Sequence, residues 1–245
     1  MEIKKIFKST WNFILNLIFP PNMKCIFCHR DISDASIVPY CDDCYVNAPF
    51  NRGKKCKICD QPTNDDSDVC DFCKRQHKAF DRAVAPMEYV DPVRSVVLKF
   101  KNNNAKYLAQ PIGRMMSDCV IDANFDFDVI LPVPASPKAL KRRGYNQSLL
   151  LAEQISKNLQ KPCMDKAFAK ILNTKYQKQL SFSKRQKNLQ GAFKVLDKKA
   201  IFGKTILLVD DVITTCATIN ECAKELKKYA RRVYVVGFAR TYIKD

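Results

Sequence analysis

The sequence predicts an α/β protein in which a parallel sheet, covered by helices, is preceded by a small Cys-rich zinc-binding domain. Three observations predict it. Near-continuous apolar segments of strand length alternate with helical segments from about residue 80 onward. Eight of the twelve cysteines form four CxxC pairs inside residues 25–73, and these pairs stop where the alternation begins. With 245 residues and 47% hydrophobic content, the chain can bury one full-sized core and carry an appendage. We divide it into an amphipathic N-terminal helix (1–22), a zinc-ribbon-like domain (23–80) and an α/β domain (81–245).

Within the first segment, Ile3, Ile6, Phe7, Trp11, Ile14, Leu15 and Ile18 recur at helical spacing, and Pro20 and Pro21 end the run. Lysines before an apolar stretch imitate a signal peptide, but no small-residue cleavage site precedes Cys25. The apolar face is expected to pack on the protein itself, with peripheral membrane contact as the alternative. No apolar run reaches the ~18 residues that span a bilayer.

In the second segment the pairs are Cys25/Cys28, Cys41/Cys44, Cys56/Cys59 and Cys70/Cys73. A two-residue gap lets both thiolates of a tight knuckle face one tetrahedral ion, and four thiolates close a structural site. The set therefore predicts two structural zinc ions in a reducing, cytoplasmic setting. Sequential and interleaved pairings of the knuckles both satisfy the spacing. His29 and His77 are bystanders beside eight thiolates, and Cys119, Cys163, Cys216 and Cys222 read as small buried residues.

In the third segment, strands are expected at 82–90, 127–134, 167–172, 192–196, 204–210 and 231–240, and helices near 92–100, 105–118, 146–159 and 217–229. In such sheets ligands sit beyond the carboxyl ends of the strands. That position falls on Asp210 and Asp211, followed by Thr214, Thr215 and Thr218. Adjacent acids beside a loop whose N–H groups face an anion suit a ligand with both vicinal hydroxyls and a phosphate, such as a phosphorylated ribose.

An apolar strand running into "DDVITTCAT" resembles the phosphoribosyl pyrophosphate (PRPP) motif of type I phosphoribosyltransferases. With "LPVP", "KRRGYNQS" and "KQLSFSKRQKNLQGAF" behind a cysteine-knuckle domain, nearly the whole chain resembles the ComF (ComFC) family of competence-associated proteins. The resemblance implies a parallel-sheet type I phosphoribosyltransferase-like domain. In it the catalytic pair Asp210 and Asp211 holds the ribose, and Val212, Thr214, Thr215, Cys216, Ala217 and Thr218 form the 5-phosphate loop. Val133, Pro134 and Ala135 face the pyrophosphate, Arg143, Asn146 and Gln147 border it, and Arg185 with Asn188 come from a covering loop. Mg²⁺ would accompany PRPP. The family pattern usually has Gly where this chain has Cys216, a departure that would crowd the anion and, at positive φ, add strain of about 1–2 kcal/mol.

The net charge of +17 is concentrated in residues 138–199, which hold 16 bases and 3 acids. That density implies a polyanionic partner. Lys141, Arg142, Arg143, Lys175, Lys178, Lys184, Arg185 and Lys187 are interleaved with Tyr145, Tyr176, Phe182 and Phe193, a mix suited to single-stranded DNA, whose bases stack on rings. The plain reading of Phe182 and Phe193 is core packing, whereas Tyr145 and Tyr176 sit among polar neighbours and read as exposed. The resemblance implies a PRPP-type ligand-binding, single-stranded-DNA-binding protein of natural transformation, located in the cytoplasm or at the inner face of the membrane. A DNA-uptake helicase or an inner-membrane channel would be its partner. The alternative is an active phosphoribosyltransferase with an acceptor of its own.

Overall fold

The computed structural model describes residues 24–32, 39–63, 67–102, 104–172 and 189–242. The expected N-terminal helix lies outside them. Contacts divide the chain into two compact units, residues 1–48 and 49–245.

In the first unit a knuckle carries Cys25 and Cys28. The His29 N–H donates to the Cys25 carbonyl (3.0 Å), and His29 takes a left-handed φ of 61° to close the turn. Helix α1 (Asp42–Asn47) begins directly after Cys41, with Asp42 and Asp43 in its first turn, where acids suit the helix dipole.

The second unit opens with the same device. The Asp60 N–H donates to the Cys56 carbonyl (2.9 Å), Asp60 has φ 62°, and helix α2 (Asp71–Arg75) starts after Cys70. Cys56, Cys59, Cys70 and Cys73 are buried in one cluster with Phe80, Ala83, Leu208, Ile213 and Val235 of the sheet region. Contacts thus place the second cysteine group in the same unit as the sheet. Spacing marks where ligands cluster, but not what the cluster packs against.

The sheet holds β1 (Arg82–Val84), β2 (Met87–Glu88), β3 (Val129–Pro132), β6 (Thr205–Ile213) and β7 (Arg232–Arg240). Its order is β1-β7-β6-β3, β2 also pairs with β7, and every pairing is parallel. The single strand expected over 82–90 is split at Pro86, which has no N–H for a ladder. The apolar runs of β6 and β7 are buried almost throughout, as a sheet covered on both faces requires. Helices α3 (Val93–Asn102), α4 (Ala109–Asp122), α5 (Pro137–Arg143), α6 (Gln147–Leu159), α7 (Lys198–Ile201) and α8 (Ala217–Leu226) complete the unit. Strands β4 (Phe168–Lys170) and β5 (Phe193–Val195) form a separate antiparallel pair, with Phe168 stacked on Phe193 at 5.8 Å between centroids. Phe193 is thus a core residue.

No helix among the described residues is long and apolar enough to cross a membrane.

Candidate functional site

Sequence alone ends the central strand at Asp210, yet β6 continues three residues further. Asp210 pairs with Gly237, Val212 with Ala239 and Ile213 with Arg240. Gly237 makes room for this. A Cβ there would stand 2.6 Å from Ile213 Cγ1, so only a glycine lets Ile213 lie flat against β7.

Asp210 sits deep in the fold with one edge open to the site. It accepts from Ser148 Oγ, at the start of α6 (3.0 Å), and from the Asp211 N–H (2.9 Å). Burial, followed by the neighbouring charge of Asp211, pushes its carboxyl up to about 7. Asp211 is buried and pairs with the Lys101 ammonium from the end of α3 at 2.9 Å. Burial works to lower the pKa of Lys101, but the charges of Asp211 and Asp210 outweigh it, and the net direction is upward. The site thus joins an acid that titrates near neutrality to an ion-paired one.

After Ile213 the chain turns. Thr214 is exposed, Thr215 and Thr218 are half-buried, and Val212 and Ala217 are buried. Cys216 sits before α8 with φ 60°, and its own side chain makes no capping hydrogen bond to the N–H groups of the helix's first turn. Those donors are placed to receive an anion. The strain expected of a non-glycine at this position is therefore present. The Cys216 side chain is buried in the same apolar cluster as Ile213, Ile219 and Cys222. Burial raises its thiol pKa, which argues against a reactive cysteine.

On the opposite side, the Val133 N–H donates to the Val209 carbonyl (2.8 Å) and Asn146 Nδ2 donates to the Val133 carbonyl (3.1 Å). The loop through Pro134 and Ala135 is thereby tied to the central strand and to the start of α6. Ser136 caps α5 by accepting from the Ala139 N–H (3.2 Å). Arg143 donates to Gln147 Oε1 (2.9 Å), while Lys141 and Arg142 are exposed in the last turn of the same helix. A cavity of about 570 Å³ lies beside this loop, bordered by Pro134, Ala135, Asn146, Phe168 and Lys170.

Tyr145 requires a correction. Its polar neighbours predict an exposed stacking ring, but it is buried, its hydroxyl donates to the Phe100 carbonyl, and its ring lies 6.2 Å from that of Phe100. It offers no free face to a base. Lys175, Lys178, Lys184, Arg185 and Lys187, with Tyr176, Phe182 and Asn188, fall outside the described residues.

The eight expected metal ligands converge as two sequential groups, Cys25/Cys28/Cys41/Cys44 and Cys56/Cys59/Cys70/Cys73, which settles the pairing of the knuckles. Within each, all Sγ atoms lie within 4.8 Å of one another. The Cys28–Cys41 and Cys59–Cys70 sulfurs are 3.6 and 3.7 Å apart. A tetrahedron with metal–sulfur bonds of ~2.3 Å has edges of ~3.8 Å, so the donor sets fit a zinc-sized ion. Neither group includes His29 or His77.

Three residues that matter here are not singled out by the sequence: Lys101, Ser148 and Arg240. Lys101 has a legible signal, since Val93, Val97 and Lys101 share one helical face and a lysine on an apolar face needs a partner. Ser148 and Arg240 carry no comparable mark.

Comparison with known proteins agrees with this geometry. Residues 103–242 match the family described as "Phosphoribosyl transferase domain". Competence protein F of Haemophilus influenzae is 30% identical over 89% of this chain and 97% of its own. The DNA utilization protein YhgH of Escherichia coli is 28% identical, covering 81% of this chain and 90% of its own. Competence protein ComFC of Bacillus subtilis is 23% identical over 81% and 82%.

Proposed function

Since the chain belongs to the phosphoribosyl transferase domain family, and within it to the competence protein F relatives, we propose that it binds a PRPP-type ligand and single-stranded DNA in natural transformation. The observation that carries the reading is the approach of Asp210 and Asp211 to a phosphate-ready loop, with Lys101 neutralising one acid and Ser148 orienting the other. Ribose hydroxyls would donate to the two carboxylates, and the N–H groups before α8 would hold the 5-phosphate. Val133 to Ala135 would line the pyrophosphate. Mg²⁺ would accompany the ligand and supply positive charge beside Asp210 and Asp211. Zinc fills the two four-cysteine groups as a structural ion, since four thiolates leave no open position. The competence and DNA-utilization names of the relatives supply the cellular role. DNA-uptake helicases, membrane channels and the inner face of the membrane belong to this reading as partners and place.

Calorimetry with PRPP and with ribose 5-phosphate tests the first half. No heat with either ligand, magnesium included, overturns it. The raised carboxyl adds a pH signature. A folded pKa of about 7 against an ordinary carboxylate near 3.8 means that the folded protein favours the protonated acid. Ionisation therefore costs stability progressively as pH rises through that window. A hydroxyl-accepting carboxylate is needed for the ligand, so affinity increases from pH 6 to 8. Asp210→Asn is expected to bind weakly without that rise and to gain more in melting temperature over wild type at pH 8 than at pH 5. Comparing the two proteins cancels the titration of the ligand phosphate itself.

For DNA, Lys141 and Arg142 supply the exposed charge. Each phosphate neutralised contributes about −0.7 to the slope of log K against log salt for single strands. Lys141→Glu with Arg142→Glu is expected to flatten the slope by roughly one to two units. An unchanged slope removes this helix from the interface.

The cavity beside the pyrophosphate loop favours a second reading, an active phosphoribosyltransferase whose acceptor enters there. Pyrophosphate released from PRPP only when a nucleobase is added would establish it.

A further inference from the structure

Arg240, the last residue of β7, is completely buried. From there its guanidinium faces two places at once. Toward the ligand site, Nη1 donates to the carbonyls of Ile213 (3.3 Å) and Thr214, the residues that lead into the phosphate loop. Toward the second cysteine group, Nη2 donates to Gln61 Oε1 (3.4 Å), and Cys59 lies close enough for its charge to favour the guanidinium cation. Gln61 belongs to the same knuckle, since its carbonyl accepts from the Cys56 N–H (2.7 Å). Nε has no hydrogen-bond partner.

A buried cation needs compensating charge as well as acceptors. The carbonyls and the Gln61 amide supply acceptors only. Four thiolates around a divalent ion leave an excess of roughly two negative charges, which adds to the buried Asp60 carboxylate in balancing Arg240. On the loop side, a carbonyl held by Arg240 is turned away from the anion. The peptide N–H groups that follow are then free to face it.

Resting on the phosphate-loop reading above, we propose that Arg240 is a positioning residue that links the Cys56/Cys59/Cys70/Cys73 metal site to the phosphate loop, so that metal occupancy sets the loop's affinity for a sugar phosphate. Coupling of this kind is reciprocal. Loss of the metal changes the charge and the fixed knuckle beside the guanidinium, and the Thr214 and Ile213 carbonyls lose a rigidly held donor.

The test uses full-length protein reconstituted with cobalt(II), whose visible thiolate charge-transfer and d–d bands report on the two four-cysteine sites. Ribose 5-phosphate is the probe. In wild type, saturating ribose 5-phosphate is expected to change the cobalt spectrum, the reciprocal effect that coupling between the metal site and the loop requires. The spectral response should persist when Cys28 and Cys41 are replaced by serine, which restricts cobalt to the second site. Arg240→Gln should retain cobalt but lose the response and about tenfold in affinity, while Arg240→Lys, which keeps the charge without the fork, should recover part of both. A wild-type cobalt spectrum indifferent to bound ribose 5-phosphate overturns the link, and so does a response lost with Cys28 and Cys41. Wild-type affinity in a folded Arg240→Gln protein does the same. Absence of ribose 5-phosphate binding by metal-replete wild type has a different meaning: it fells the loop reading, and this proposal with it.

Discussion

Cys59→Ser is expected to destabilise the sheet-bearing unit strongly, whereas Cys28→Ser leaves the stability of that unit unchanged. The contrast follows from where the two clusters lie. Cys59 is fully buried and packs in the same cluster as Leu208 of β6 and Val235 of β7. Cys28 is exposed and belongs to the other unit. Structural zinc contributes apparent binding free energies of about 10–16 kcal/mol, comparable to the whole stability of a domain. Losing one ligand of the buried group also leaves three thiolates with little to share their charge. We expect a loss above about 4 kcal/mol, seen as a fall in the Tm of the larger unit of roughly 10 °C or more. Urea denaturation followed by circular dichroism would resolve both variants. Equal damage from the two serines would mean that the clusters do the same work, contrary to their packing.

The difference between these clusters also marks the limit of what the sequence discloses. The CxxC spacing identifies eight ligands because knuckle geometry is local, each turn being closed by residues adjacent in the chain. Which knuckles share an ion depends on how distant segments fold together. The same division holds in the α/β region. β6, β7 and α6 are legible from apolar runs and helical periodicity, since those patterns encode which faces are covered. Asp210, Asp211 and the threonine turn are legible because their chemistry is written in consecutive residues. Lys101 stands 110 positions from Asp211, and only the packing of α3 brings its ammonium to 2.9 Å. Tyr145 departs from its expected exposure for the same reason. Polar neighbours in sequence say nothing about Phe100, which covers its ring from 45 positions away. Arg240 ends an apolar strand, where a charge ordinarily marks emergence into solvent, but the cysteine cluster closes over it.

Cys216 shows how such distant contacts alter a local rule. A left-handed position before a helix favours glycine, and a cysteine there costs about 1–2 kcal/mol. In this protein the side chain returns part of that cost by filling space beside Ile213 and Ile219. The sulfur thus lies on the core side of the loop and leaves the other side to the N–H groups.

Gly237→Ala is expected to damage that turn without touching any ligand-facing residue. Gly237 pairs with Asp210 in the centre of the sheet, and a Cβ at this position would lie 2.6 Å from Ile213 Cγ1, 3.1 Å from its Cδ1 and 3.4 Å from its backbone nitrogen. Ile213 has no open space to retreat into, being buried, with its carbonyl held by Arg240 and by the Thr241 N–H. Overpacking of this kind costs about 1–3 kcal/mol. The displaced residue immediately precedes Thr214, so part of the strain passes into the phosphate loop. Urea denaturation should therefore show the loss of stability, and calorimetry should show weaker ribose 5-phosphate binding by the protein that remains folded. Ile213→Ala removes the atoms in conflict. Combined with Gly237→Ala, it should cost less than the two single changes added together, a coupling of about 0.5–3 kcal/mol for side chains in direct contact. Strict additivity would show that Ile213 does not transmit the strand's position to the loop. The anion site would then owe its shape to the start of α8 alone.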